Sequence, residues 1–245
     1  MSHPLPPEFS TLKGKVLSSR VYPEFFALSG QERVLNIGCG DGPQIVVYQG
    51  AFASMLCVDI QEKRIRATER LAQALGIGER VTMLESNVER IDRPDASFDT
   101  VFAIDIIEHV EHPEALLREA FRLLVPGGRM LITFPALHDH FVDALSWLRR
   151  LFVRTPSDVK SDAWHPDAHQ RELSVHAWRT LVEQAGFRCV KSRATTMFPP
   201  LHLYGIPRFW FANNTIHTID RAIASLPWVQ NLGQTVMVLC EKPRV

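Results

Sequence analysis

No run of about 18 or more apolar residues occurs in this chain, so no transmembrane helix is expected. The opening stretch, MSHPLPPEFSTLKGK, lacks an apolar core of the kind a secretory signal carries. Neither charge is in excess: Lys plus Arg number 27 and Asp plus Glu number 27. That balance argues against a polyanion partner held by broad electrostatics, although Arg149-Arg150 is a local basic pair. Cysteine is scarce. Cys39, Cys57, Cys189 and Cys240 sit in or beside apolar runs and none is in a CxxC pair. They read as free buried thiols in a reducing compartment, so a cytoplasmic protein is expected. Internal repeats and low-complexity tracts are absent. What remains is ordinary for a globular chain with a sizeable core, 46% hydrophobic and 22% charged. A length of 245 residues fits one large domain, or one domain with a cap.

Short apolar runs alternate with helical patterns from about residue 33 onward. Strands are expected at 33–37, 53–58, 81–85, 98–104, 129–134, 187–192 and 235–240. Helices are expected at 13–28, from about Gln44 to Gly50, at 61–75, 113–124 and 175–184, with Pro126-Gly127-Gly128 as a turn. Alternating strands and helices imply βαβ units and a parallel sheet. Two stretches break the rhythm. Residues 136–172 hold Phe141, Trp147, Leu148, Leu151, Phe152 and Trp164, and residues 196–234 hold Phe198, Tyr204, Phe209, Trp210, Phe211 and Trp228. Both read as insertions folding over the carboxyl edge of the sheet, with residues 1–30 as an N-terminal arm and helix.

The densest signal is RVLNIGCGDGP, Arg33 to Pro43. Val34-Leu35-Asn36-Ile37 reads as a buried strand running into Gly38-Cys39-Gly40-Asp41-Gly42. Glycines at alternate positions let the backbone turn tightly and approach a ligand. Strand, glycine turn and helix make a nucleotide-type site at the carboxyl edge of a doubly wound sheet. The pattern is G-x-G-x-G followed by Pro43, not the G-x-G-x-x-G of dinucleotide sites, which opposes an NAD(P) oxidoreductase.

This form resembles motif I of class I S-adenosylmethionine-dependent methyltransferases. SFDTVFAIDIIEHVEHPEALLREAFRLLVPGGRMLITFP resembles that family's fourth strand, helix and PGG turn over its whole length. The resemblance covers about 30–135 and 173–243 and is nearest to the group containing the ubiquinone-biosynthesis O-methyltransferases. It implies a seven-stranded, mostly parallel, Rossmann-like sheet whose last strand is antiparallel. It also implies S-adenosylmethionine as cofactor and S-adenosylhomocysteine as product. Asn36, Gly38, Cys39, Gly40 and Asp41 would hold the methionine end. Asp59 with Ile60 would meet the ribose, and Asn87 with Val88 the adenine. A carboxylate accepting from two vicinal hydroxyls, and an amide facing an exocyclic amine, suit those roles. The family has an acidic residue where this chain has Asn36, which keeps polarity but loses charge.

Asp105-Ile106-Ile107-Glu108-His109 carries the candidate chemistry. If Asp105 opens a helical turn, Glu108 and His109 follow three and four residues on and share its face. Two carboxylates and an imidazole suit a divalent cation. The pattern resembles the E-x-x-E-H motif of two metal-using branches of the fold, with Asp105 in place of the first Glu. His169 stands where a later histidine completes the site in one of them. Asp105, Glu108, His109 and His169 are therefore candidate metal ligands, and Asp105, His109 and His169 candidates at the reacting centre. Without metal, His109 or His169 is the candidate general base. His138, His140, His165 and His176 read as structural or solvated.

Methyl transfer to a small, partly apolar acceptor, on oxygen, is the expected function. The alternatives are metal-dependent RNA ribose 2′-O-methylation and a non-catalytic protein that binds the cofactor or a partner. The second insertion offers a peripheral membrane contact or a dimer interface, so the chain is expected as a monomer or homodimer.

Overall fold

A computed structural model describes Phe9, residues 22–135, Arg171 and residues 173–195, 214–226 and 235–244. Seven strands form one sheet: β1 (Arg33–Ile37), β2 (Ser54–Asp59), β3 (Val81–Glu85), β4 (Phe98–Ala103), β5 (Leu124–Pro135), β6 (Arg188–Thr195) and β7 (Thr235–Glu241). Their order is β3-β2-β1-β4-β5-β7-β6. The first five are parallel, and β7 runs antiparallel between β5 and β6. The mostly parallel sheet with an antiparallel last strand is the architecture the sequence implies.

The strands of the sheet centre are apolar on both sides because both sides are covered. Leu35, Ile37, Val58, Val101, Ile132 and Val238 belong to one core, packed beneath α3 (Pro113–Leu123) and α4 (Val175–Gln184). Trp178 of α4 is fully buried there, its ring 6.1 Å from that of Phe134. Val34, Met55, Cys57, Phe102 and Leu131 face a second core. It is closed by α1 (Pro43–Val47), α2 (Glu62–Ala74) and the turn carrying Tyr22, Phe25 and Phe26. Tyr48 stacks on Phe102 with centroids 5.0 Å apart and donates its hydroxyl to the Phe26 carbonyl at 2.6 Å.

Three local expectations are corrected. The helix expected over 13–28 is a turn from Tyr22, with the Phe25 and Phe26 amides both bonded to the Tyr22 carbonyl. Pro23 disfavours helical backbone at Tyr22. Residues 13–21 lie outside the described residues. The helix after the glycine loop is short and ends at Val47. The PGG segment is built into β5 rather than preceding it. Gly127 donates to the Lys242 carbonyl and Lys242 to the Gly128 carbonyl, with a register shift against β4.

The insertions at 136–172 and 196–234 lie largely outside the described residues, as do His138, His140, His165 and His169. Within the second insertion, α5 (Asn214–Ala224) packs against β6. Arg193 of β6 donates to the Arg221 carbonyl at 2.6 Å, and both guanidinium groups lie over the Tyr22 ring, 4.8 and 4.3 Å from its centroid. Among the described residues no helix is long and apolar enough to cross a membrane.

Candidate active site

A cleft of about 210 Å³ opens at the carboxyl ends of β1, β2 and β3. Gly38, Asp59, Ile60, Asn87, Val88 and His109, all singled out by the sequence, line it. Gln61, Arg64, Glu89, Ile106, Val110 and Glu111 complete the lining.

The glycine loop follows β1. Gly38, Gly40 and Gly42 all have positive φ, at 65°, 54° and 79°. At Gly38 the need is also spatial, because a Cβ there would lie 2.6 Å from the Ile106 side chain across the cleft. Asp59, 4% exposed, pins this loop. Its Oδ2 accepts from the Gly40 amide at 3.0 Å and its Oδ1 from the Gln61 amide at 2.9 Å. Each carboxylate oxygen keeps a lone pair for a further donor. From α2, Thr68 donates to the Gly40 carbonyl at 2.8 Å. Loop, strand end and helix are thereby held as one unit.

Asn36 is fully buried below the loop. Its Nδ2 faces Gln44 Oε1 at 3.4 Å and Cys57 Sγ at 4.0 Å, while its Oδ1 has no hydrogen-bond partner among the described residues. Cys39 is buried in the second core, where hydrogen bonding to Cys57 and burial push its thiol well above the ordinary value. The Cys39 side chain therefore stands away from the cleft. Asn36, Gly40, Asp41, Asp105 and Glu108 are likewise outside its lining.

Across the cleft, Asn87 Oδ1 accepts from the Glu89 amide at 2.9 Å, fixing the turn after β3. Glu89 Oε1 in turn accepts from the His112 amide at 3.0 Å, joining two walls of the cleft.

The DIIEHV segment departs from the expected single helical turn. Asp105 has a left-handed backbone, φ 51°, and the 3₁₀ turn comprises only Ile107–His109. The Asp105 amide donates to Thr133 Oγ1, and that hydroxyl donates to Asp105 Oδ1, both at 2.8 Å. Asp105 is thereby tied to β5. Glu108 is 2% exposed and buried, while His109 lines the cleft. Asp105 therefore does not open a helical turn that continues through Glu108 and His109. Among the described residues no group of three His, Cys, Asp or Glu side chains is placed to hold a metal ion. The fourth expected ligand, His169, lies outside them.

Sequence reasoning missed Thr133, Gln44 and Thr68, whose roles depend on strand register and helix packing. Ile106 and Val110 were within reach, since they flank residues already singled out in DIIEHV.

A family model described as a methyltransferase domain matches residues 14–192. The chain is 31% identical over 137 residues to the 27-O-demethylrifamycin SV methyltransferase of Amycolatopsis mediterranei, spanning 56% of this chain and 45% of that protein. It is 35% identical over 102 residues to the ubiquinone biosynthesis O-methyltransferase of a Caulobacter strain, spanning 41% and 39%. The matched stretch thus spans less than half the length of each of these relatives. Among solved structures, the 4+2 cyclase SpnF superposes with a TM-score of 0.63 at 18% identity, over 96% of this chain and 81% of that one. That likeness is one of fold alone. With the domain match covering more than half its length and the glycine-loop cleft in place, the chain belongs to the class I S-adenosylmethionine-dependent methyltransferase family.

Proposed function

We propose that this protein transfers a methyl group from S-adenosylmethionine to an oxygen of a small, partly apolar acceptor. The observation that carries the reading is the cleft in which Gly38, Asp59 and Asn87 converge from three adjacent strand ends. The residues present fit the cofactor. The lone pairs left on the Asp59 carboxylate suit a vicinal diol, and Ile60 and Val88 offer apolar surface to a base. Asn36 Oδ1, buried without a partner among the described residues, suits an ammonium donor. When bound, the cofactor supplies a methyl group on a sulfonium for in-line displacement.

The chain's own residues have three tasks. The glycine loop, pinned by Asp59, fixes the methionine end. Ile106 and Val110 exclude water from the wall opposite the loop. His109, at the cleft surface, takes the proton released by the acceptor hydroxyl. The insertions at 136–172 and 196–234 supply acceptor selectivity. O-methyl transfer is also the reaction that the names of the rifamycin and ubiquinone relatives state for those proteins.

Calorimetric titration with S-adenosylhomocysteine, repeated after chelator treatment, tests cofactor binding. Micromolar affinity unaffected by chelation is expected. Labelled S-adenosylmethionine offered with phenolic and catechol-like acceptors then tests turnover. His109→Gln should keep the titration and lose the turnover. No binding by the intact protein sinks the reading. Binding without transfer to any acceptor favours the non-catalytic alternative.

A further inference from the structure

Two of the four thiols face each other at the sheet edge remote from the cleft. Cys189 of β6 and Cys240 of β7 are directly paired in the antiparallel register, with sulfurs 3.8 Å apart. A disulfide requires Cα atoms about 4.4–6.8 Å apart, and directly opposed antiparallel residues meet that at about 4.5–5.5 Å. The backbone is therefore already suitable, and side-chain rotation suffices to bring the sulfurs together. The two thiols differ in access. Cys240 is fully buried, while Cys189 is only partly covered on the edge strand. Beside it the ladder slips, and Val190, which the register skips, is 52% exposed. Cys189 keeps partial exposure at this edge, although its side chain also packs against the first core. Hydrogen bonding from Cys240 and the nearby Arg179 guanidinium also hold the Cys189 thiol below its ordinary value, although burial opposes them. A partly exposed nucleophilic thiol backed by a buried one is an arrangement suited to thiol–disulfide exchange. Cys39 and Cys57 offer the contrast, since they are 1% and 0% exposed and closed to a dissolved oxidant.

We propose that Cys189 and Cys240 form a reversible oxidisable pair that closes to a cross-strand disulfide by exchange with a small disulfide such as oxidised glutathione. The Cys189 thiolate attacks one glutathione sulfur, forming a mixed disulfide and expelling one glutathione thiolate. The Cys240 thiol then loses its proton and attacks the Cys189 sulfur, expelling the second glutathione. Two protein thiols and one glutathione disulfide thus become one protein disulfide and two glutathione thiols. The bond joins the end of β7 opposite Thr235, the residue at the level of the β5 carboxyl end. It fastens the edge strand without entering the cleft.

The test incubates the full reduced chain with oxidised glutathione and maps its peptides by mass spectrometry without reduction. The expected product is a Cys189–Cys240 crosslink, lost on adding a dithiol, with Cys39 and Cys57 still reduced. Cys240→Ala should instead retain glutathione on Cys189, and Cys189→Ala should take up none while folded. A mixed disulfide on Cys189 of the unaltered chain that never resolves overturns the proposal. So does a crosslink that forms only after denaturant is added, or one that forms first between Cys39 and Cys57.

Discussion

The two halves of the sheet lean on different chemistry, although Arg80 in the parallel half also donates to the Phe52 carbonyl and lies over that ring. In the parallel half, carboxylates accept from backbone amides: Asp59 from Gly40 and Gln61, Glu89 from His112, Glu119 from Ile91. Around the antiparallel half, cations donate to carbonyls and lie over rings. Lys191 donates to the Phe25 carbonyl and sits over that ring, and Lys242 does the same with Phe121. Arg193 and Arg221 share Tyr22, and burial raises that tyrosine's hydroxyl above its ordinary value. The carboxylate half arranges amides and spare lone pairs around a cleft. The cation half clamps elements together and arranges no such opening among the described residues. The proposed binding cleft and the cation clamps of the antiparallel half thus occupy different regions, and each can be tested separately.

The largest effect is expected at Asp59. Asp59→Ala removes the acceptor for two amides and for the proposed ribose. At about 1.5–3 kcal/mol for each hydrogen bond to a charged group, S-adenosylhomocysteine affinity should fall about 100-fold or more. Calorimetry reads this directly, and a change below tenfold would place the ribose elsewhere.

Glu119→Gln strikes a carboxylate of the same half that lies outside the cleft. Burial works to raise this carboxyl, but the hydrogen bonds from Arg122 and the Ile91 amide outweigh it and hold it below the ordinary carboxylate range. The folded value lies below the unfolded one. The contribution is therefore complete above the ordinary range near 4.5 and disappears as pH falls through the lowered value. Urea titration should show a loss of about 2 kcal/mol at neutral pH, shrinking toward zero in acid. An equal loss at both pH values would contradict the ionic role.

Lys242→Met tests the other half. Lys242 donates to the Phe121 and Leu124 carbonyls at 2.7 and 2.8 Å. Its removal should cost about 1 kcal/mol of stability and leave cofactor affinity unchanged. An affinity change would show the two halves to be coupled.

Asn36→Asp is the smallest and the most diagnostic. A carboxylate there faces Gln44 Oε1 and has lost the amide that donated to it, so the unliganded protein should melt lower. The proposal that position 36 meets the cofactor's ammonium predicts that the added charge makes S-adenosylmethionine bind a few-fold tighter. Weaker binding with a lower melting point would remove Asn36 from the cofactor site.

The parallel half was the legible one. β1 and β3 lie where their apolar runs placed them, β1 buried on both sides and β3 at the sheet edge with only Val81 buried. Six residues chosen from local motifs line the cleft. The misreadings were non-local. Asp105 takes its shape from Thr133, on a strand reached only through α3. The PGG segment became strand because Lys242 pairs with it from the far end of the chain. α5 escaped within 196–234; of its described side chains Asp220 and Ala224 are buried while Ile219 is exposed. A buried carboxylate beside an exposed isoleucine blurs the apolar period by which a helix is read.

Left-handed backbone at Asp105 is tolerated best by glycine, asparagine and aspartate, and of these only aspartate and asparagine offer an Oδ1 that can accept the Thr133 proton. Positions 105 and 133 should therefore be inherited as a pair. A lineage that keeps the Thr133 hydroxyl should keep aspartate or asparagine at position 105, and one that loses it should admit glycine there.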